Sequence, residues 1–138
     1  MLRSFPTLGM ALSFALIGAA ANAAEPVTTA SGLVYQSTRD GQGESPKATD
    51  TVIVHYRGTF PDGKEFDSSY SRGQPAEFPL NRVIPCWTEG VQRMKPGGKA
   101  KLVCPPAIAY GSRGAGKVIP PDATLHFEVE LVGVRLSR

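Results

Sequence analysis

Apolar and polar residues alternate in several short runs along the chain, the pattern of β-strands that bury one face. In the run 124–134, apolar side chains stand at every second position from Leu125 to Leu131, and polar ones such as His126 and Glu128 lie between them. The run 51–57 alternates in the same way. The predicted strands cover residues 33–38, 51–57, 64–67, 99–104 and 124–134.

One helix is predicted between the third and the fourth of these strands. Trp87, Val91 and Met94 are spaced i, i+4, i+7 and share one face. Pro85 suits a first helical turn, and the Pro-Gly-Gly run 96–98 ends the helix. Short turns between the strands favour antiparallel pairing. The pattern therefore predicts an α+β fold, in which a curved antiparallel sheet of five to six strands lies over one short helix.

The first 23 residues differ from the rest. Arg3 is the only charge there, a run of apolar and small residues follows from Leu8, and the segment closes on Ala-Asn-Ala at 21–23. This is typical of a cleavable secretory signal peptide, although an uncleaved anchor or a buried helix stays an alternative. We predict three parts, namely a signal peptide at 1–23, a flexible start at 24–30 and one domain at 31–138.

Composition and charge indicate an ordinary folded domain. The chain has 138 residues, of which 41% are hydrophobic and 20% charged, and 15 glycines with 12 prolines suit many turns. Its net charge of +3 is too small to indicate binding to nucleic acid or lipid. The basic cluster Arg93, Lys95, Lys99 and Lys101 has no interleaved aromatic residues. We therefore expect no nucleic-acid partner, and no membrane contact after signal cleavage.

Several enzyme chemistries lack their residues. His55 and His126 fall on solvent-facing strand positions without partners at metal-ligand spacing. Residues 111–117 fit G-x-x-x-x-G-K, but Val118 follows where a phosphate-binding loop needs Ser or Thr. We expect no metal site and no cofactor.

The two cysteines, Cys86 and Cys104, are 18 positions apart and match no zinc or redox motif. In an oxidising compartment they are able to form a disulfide, worth about 3 kcal/mol in the chain-entropy model. The other interpretation is a pair of small buried thiols. On spacing alone both stay open.

Five motifs occur in order along the chain and together are far more specific than any one of them. They are VHYRGT at 54–59, DGKEFDSS at 62–69, VIPCWTEG at 83–90, AYG at 109–111 and IPPDATL at 119–125. Over about residues 31–135 the sequence closely resembles the FKBP-type peptidyl-prolyl cis-trans isomerases. With its leader and a cysteine before the tryptophan, it is similar to exported bacterial members, which implies a periplasmic or secreted protein.

The resemblance implies a half-barrel sheet wrapped on the helix and a pocket for a prolyl peptide. It makes Trp87 the floor of that pocket. It implies catalytic roles for Asp67, the acidic group at the wall, and for two hydrogen-bond donors, the Tyr110 hydroxyl and the Ile84 backbone N–H. The remaining substrate-binding residues are expected to be Tyr56, Phe66, Val83 and Phe127, with Ile84 and Tyr110 again among the contacts.

The implied activity is isomerisation of X-Pro bonds in exported proteins as they fold, without a cofactor. Proline-containing polypeptides and macrolide inhibitors are the implied ligands. Three positions depart from the family: Ala76 replaces a frequent aromatic residue, Ala115 is small, and Cys86 replaces a glycine. The last fits a disulfide between helix and sheet. The first two leave room for an alternative, a binding module or holdase chaperone that uses the same groove without turnover.

Overall fold

The structure, a computed structural model, describes residues 24–137. The predicted signal peptide, residues 1–23, lies outside the described residues. The predicted flexibility of residues 24–30 stays a prediction, and two of these residues form a short strand. The strands and helices are β1 (Val27–Thr28), β2 (Val34–Arg39), β3 (Thr51–Thr59), β4 (Glu65–Ser68), α1 (Ser69–Arg72), β5 (Ala76–Pro79), α2 (Pro85–Val91), β6 (Lys99–Cys104) and β7 (Leu125–Arg135).

All strands of the described chain belong to one antiparallel sheet of seven strands. The order is β1-β2-β6-β7-β3-β4, and β5 pairs with the other half of the β3 edge that β4 occupies. The predicted α+β class with an antiparallel sheet is confirmed. The strand count exceeds the predicted five to six because β1, of two residues, and β5, of four, are too short to give a clear alternation.

The long strands β3 and β7 form the centre of the sheet. Tyr56 pairs with Val129 and Gly58 with Phe127, and burial alternates along both strands as the sequence pattern predicts. Consequently Tyr56 and Phe127 both project from the buried face of the sheet, where each is only 6% exposed. The register of these two strands brings both aromatic rings to the same side as the helix.

Helix α2 packs against this buried face. Gly90 allows the close approach, because a Cβ atom there would lie 2.9 Å from Leu102 Cδ2 of β6. The helix is shorter than the spacing predicted. Met94 is buried but lies beyond its end, in turns where the N–H groups of Arg93 and Met94 bond three residues back. Among the described residues no helix is both long and apolar enough to cross a bilayer.

A disulfide joins α2 to the neighbouring strand β6. Cys86 and Cys104 are bonded, with their Cα atoms 5.8 Å apart, and both side chains are fully buried. The bond therefore crosses the interface between helix and sheet.

The segment after β4 is ordered by local hydrogen bonds. Ser68 caps α1 by accepting from the N–H groups of Tyr70 and Ser71, and Gly73 ends the helix in the left-handed conformation with φ 77°. Ser69 is fully buried and its hydroxyl lies 2.9 Å from Nδ1 of His55. His55 lies on the outer face of the sheet as the alternation predicts, but its ring is half-buried there rather than fully solvated, because it stacks on Tyr70.

Candidate functional site

A cavity of about 430 Å³ opens between the sheet and the start of α2. It contains all eight residues that the sequence analysis assigned to a pocket, although their roles stay predictions. Strands β3, β4, β5 and β7 supply the walls, α2 supplies the floor, and residues 82–84 and Tyr110 border the opening. The lining residues are Tyr56, Phe66, Asp67, Phe78, Arg82, Val83, Ile84, Trp87, Tyr110 and Phe127.

Trp87 lies at the centre of the aromatic lining. The rings of Tyr56, Phe78 and Phe127 meet it edge-on, with centroids 5.2, 5.7 and 5.4 Å away. Such perpendicular contacts are each worth about 0.5–1.5 kcal/mol beyond burial. The indole N–H of Trp87 is buried without an acceptor among residues 24–137. Trp87 therefore contacts its neighbours through its flat apolar ring and not through its N–H group.

A second aromatic group forms the adjoining wall. Phe66 packs edge-on against Phe127 at 5.7 Å and lies 4.9 Å from Phe60. Gly58 opposes these rings, because a Cβ there would lie 2.6 Å from the Phe66 ring. The close packing of this wall therefore requires a glycine at position 58 of β3.

Asp67 does not stand alone at the wall. One of its carboxylate oxygens accepts from the Tyr56 hydroxyl at 2.5 Å, and the other accepts from Arg72 at 2.8 Å and from the Ser68 N–H at 2.9 Å. Arg72 also donates to the Tyr56 hydroxyl oxygen at 3.0 Å. The three side chains close a ring of hydrogen bonds that holds the Tyr56 phenol at the cavity.

The same contacts set the charge states of this group. Partial burial raises the pKa of Tyr56, and its hydrogen bond to the Asp67 carboxylate raises it further. Partial burial also acts to raise the pKa of Asp67, but the hydrogen bonds from Tyr56 and Arg72, with the charge of Arg72, outweigh it and hold the pKa below its usual value. Around neutral pH Tyr56 is therefore neutral and Asp67 ionised.

Two polar groups border the opening. Tyr110 is 41% exposed. The Ile84 N–H makes no hydrogen bond to any residue between 24 and 137, whereas its carbonyl accepts from the N–H groups of Trp87 and Thr88 at the start of α2. The start of the helix thus holds Ile84 through its carbonyl, while its N–H, which belongs to the preceding peptide group, has no partner among the described residues.

Three contributors to the site were not predicted from the sequence. Phe78 is the first of them, and its place in the cavity follows from the pairing of β5 with β3. Its ring lines the cavity two positions from Ala76, where the family's aromatic residue was expected. Arg72 and Arg82 gave no signal, since an arginine in a polar segment has no periodicity to reveal its partner.

The fold and the cavity can be compared with known proteins. A family model described as FKBP-type peptidyl-prolyl cis-trans isomerase matches residues 42–132. The chain is 56% identical over 108 residues to the FKBP-type peptidyl-prolyl cis-trans isomerase FkpA of Escherichia coli strain K12, covering 78% of this chain and 40% of that protein. It is 49% identical over 108 residues to the peptidyl-prolyl cis-trans isomerase Mip of Coxiella burnetii, covering 78% of this chain and 47% of that protein.

Solved structures agree with these sequence matches. The crystal structure of FkpA from Escherichia coli superposes with a TM-score of 0.79 at 54% identity, covering 82% of this chain and 53% of that chain. A peptidyl-prolyl cis-trans isomerase from Pseudomonas syringae pv. tomato superposes with a TM-score of 0.74 at 42% identity, covering 80% of each chain.

An antiparallel sheet folded over one main helix, with an aromatic hollow between them, defines the FKBP class of fold. The chain belongs to the FKBP-type peptidyl-prolyl cis-trans isomerase family, and the resemblance seen in the five motifs is confirmed. The chain spans 40% of the length of FkpA and 47% of Mip. The activity of those longer proteins carries over to this chain only as a proposal.

Proposed function

We propose that this protein accelerates cis-trans isomerisation of X-Pro peptide bonds in folding polypeptides. The observation that carries the proposal is the aromatic cavity of about 430 Å³ with Trp87 at its floor and the unused N–H of Ile84 at its opening. Relatives at 49–56% identity are named peptidyl-prolyl cis-trans isomerases. A proline ring is apolar, and the aromatic side chains around the cavity offer it an apolar surface to pack against.

The physics of the bond defines what the catalyst must do. Resonance gives the peptide bond a rotation barrier of about 18–20 kcal/mol. In X-Pro bonds both isomers are populated, yet they exchange over tens to hundreds of seconds, which is slow enough to limit folding. Rotation breaks no covalent bond. The protein therefore has to bind the twisted amide more tightly than the planar one.

The apolar walls supply that difference. Twisting the amide removes its resonance and reduces the charge separation between oxygen and nitrogen, so a water-poor cavity disfavours the planar form relative to the twisted one. Trp87, Phe66 and Phe127 surround the bond with hydrocarbon and exclude water. Each 1.4 kcal/mol of preference for the twisted form raises the rate about tenfold.

Hydrogen bonds on either side of the proline hold the chain while the amide rotates. In this mechanism the Ile84 N–H donates to a substrate carbonyl, and the Tyr110 hydroxyl donates to another across the opening. Asp67 acts as a positioning residue, because its oxygens already accept from Tyr56 and Arg72. Its contribution is to fix the Tyr56 ring against Trp87, where a substrate proline would pack.

The decisive test is the rate of X-Pro exchange, followed by NMR or a protease-coupled assay on a short peptide. The wild-type protein should accelerate it, and Trp87→Ala and Asp67→Val should lose most of the effect. Since both changes also disturb packing, Tyr110→Phe is the gentler variant, with Tyr70→Phe as its matched control on another exposed tyrosine, which lies outside the cavity. No acceleration by the wild-type protein removes the proposal.

The competing function is a holdase chaperone that uses the same groove without turnover. The small side chain of Ala76, at the position of a frequent aromatic residue, is the observation that favours it. Suppression of aggregation of an unfolded client separates the two functions. If it persists unchanged in Trp87→Ala while isomerase activity is absent from the wild-type protein, the holdase function replaces the isomerase.

We further propose that the protein works in the periplasm or outside the cell, with folding exported polypeptides as its clients. The Ala-Asn-Ala sequence at 21–23 and the Cys86–Cys104 disulfide support this location, since disulfides persist in oxidising compartments. N-terminal sequencing of the exported protein should begin at residue 24. Retention of residues 1–23 on a cytoplasmic product would contradict it.

Macrolide inhibitors are proposed as competing ligands of the cavity. Their apolar rings match its lining, and a macrolide should quench or shift the fluorescence of Trp87, the only tryptophan of the chain. The same titration should reduce the isomerisation rate in proportion to occupancy. Full activity at saturating macrolide would show that the drug and the peptide use different sites.

A further inference from the structure

Two of the ten residues that line the cavity are charged, and they differ in how their charge is satisfied. Asp67 forms an ion pair with Arg72 and accepts a hydrogen bond from the Tyr56 hydroxyl. Arg82 has no carboxylate within 4.0 Å and no hydrogen bond from its guanidinium among residues 24–137. The four ion pairs of the described chain use Arg39, Arg57, Arg72 and Arg135.

The backbone holds Arg82 at the opening of the cavity. It ends the short 3-10 turn Leu80–Arg82, and the Leu80 side chain is fully buried. The Thr88 hydroxyl donates to the Leu80 carbonyl at 2.7 Å, which ties this turn to α2. Arg82 is therefore exposed, while its backbone is anchored two residues before Ile84, whose N–H is the proposed contact to the substrate.

We propose that Arg82 is a specificity-determining residue, which favours substrates with an acidic side chain next to the proline. The inference rests on the proposed isomerase function and adds a substrate class to it. A guanidinium binds a carboxylate in a planar, two-pronged geometry, and it repels a lysine in the same place. Because Asp67 is already paired, no other charge of the described cavity lining opposes this preference.

The size of the effect follows from exposure. Arg82 faces water, so the preference is that of an exposed ion pair, about two- to fivefold in kcat/KM. It should shrink toward unity in about 1 M salt, where charges are screened beyond about 3 Å. A preference caused by shape alone would not respond to salt.

The experiment compares peptides that differ only in the residue beside the proline. Glu, Gln and Lys are placed in turn before the proline, and in a second series after it. The wild-type protein should process the Glu peptide two to five times faster than the Gln peptide in at least one series. Arg82→Gln should bring this ratio to unity, and Arg82→Glu should favour the Lys peptide instead.

Arg93→Glu is the matched control, since it changes the net charge equally but lies over the Tyr35 ring, away from the cavity. It should keep the wild-type ratio. Equal rates for Glu and Gln peptides in both wild-type series, or equal shifts in Arg82→Glu and Arg93→Glu, overturn the assignment.

Failure of the proposed function gives a different result, namely no acceleration of any peptide. In that case binding of the same peptides, read from Trp87 fluorescence, still tests Arg82. Tighter binding of the Glu peptide that disappears in Arg82→Gln supports the charge preference without catalysis. Equal affinities, or no binding of any peptide, overturn it.

Discussion

The hydroxyl of Tyr56 donates to a carboxylate oxygen of Asp67 at 2.5 Å, across a sequence separation of 11 residues. The same hydroxyl oxygen accepts from Arg72, which also forms an ion pair with Asp67. This closed arrangement fixes the Tyr56 ring edge-on to Trp87, with centroids 5.2 Å apart. The Tyr56 side chain thus contributes both to the hydrogen bonds with Asp67 and Arg72 and to the geometry of the cavity.

Removing that phenolic hydroxyl should reduce stability without emptying the cavity wall. Tyr56→Phe keeps the ring but deprives Asp67 and Arg72 of a partner, and we expect a loss of about 1–2 kcal/mol because both charged groups stay accessible to water. Urea unfolding followed by Trp87 fluorescence measures it. Tyr70→Phe, which loses a surface hydrogen bond to Glu130, should change stability by less than about 0.5 kcal/mol. Equal losses in both variants would refute this contribution.

Acid should weaken the folded state through Asp67. Its pKa is lower in the folded protein than in the unfolded chain, so its stabilisation is complete above the ordinary aspartate pKa of about 3.9. That stabilisation is lost as the pH falls through the lower folded value. Urea unfolding of wild type and Asp67→Asn at a series of pH values tests this. The difference in unfolding free energy between them should shrink below about pH 4, and a constant difference down to pH 2 would contradict the assignment.

Breaking the disulfide should lower stability substantially. Cys86 and Cys104 close a loop with a separation of 18 residues, which the chain-entropy model values at about 3 kcal/mol. The double variant Cys86→Ala/Cys104→Ala should therefore unfold at lower urea concentration than the oxidised protein. Mass spectrometry before and after reduction, with thiol alkylation, verifies the starting state. Unchanged unfolding after complete reduction would contradict the expected contribution.

Gly58 should not tolerate even a methyl group. Its Cβ would lie 2.6 Å from the Phe66 ring and 3.0 Å from the Phe127 ring, so Gly58→Ala should cost about 1–3 kcal/mol through overpacking. It should also reduce isomerase activity by displacing the wall. The matched control is Gly133→Ala in β7, where the nearest atom is Ile53 Cδ1 at an ordinary 3.6 Å. Thermal unfolding of both proteins decides, and similar melting temperatures would count against the packing argument.

Much of the site was predictable because the family motifs carry it. All eight predicted pocket residues line one cavity. Ala76 replaces a frequent aromatic residue of the family, yet Phe78 occupies part of the wall. The pairing of Val52 with Phe78 brings that ring into the cavity, and strand pairing of this kind leaves no local trace in the sequence.

The sequence by itself determined the class of fold, because alternation with period two and a single apolar stripe need only neighbouring residues to be read. It did not fix where α2 ends, since Met94 is buried by contact with the core whether or not it is helical. Nor did it fix the half-buried place of His55.

Only the tertiary structure decided which charged side chains form ion pairs and which do not. Arg72 pairs with Asp67 because α1 turns the chain back beside β4, whereas Arg82, which lines the cavity, has no ionic partner among residues 24–137. Ion pairs depend on the distance between side-chain ends, which is set by the path of the whole chain. Hydrophobic patterning specifies which face is buried, and it leaves that distance undetermined.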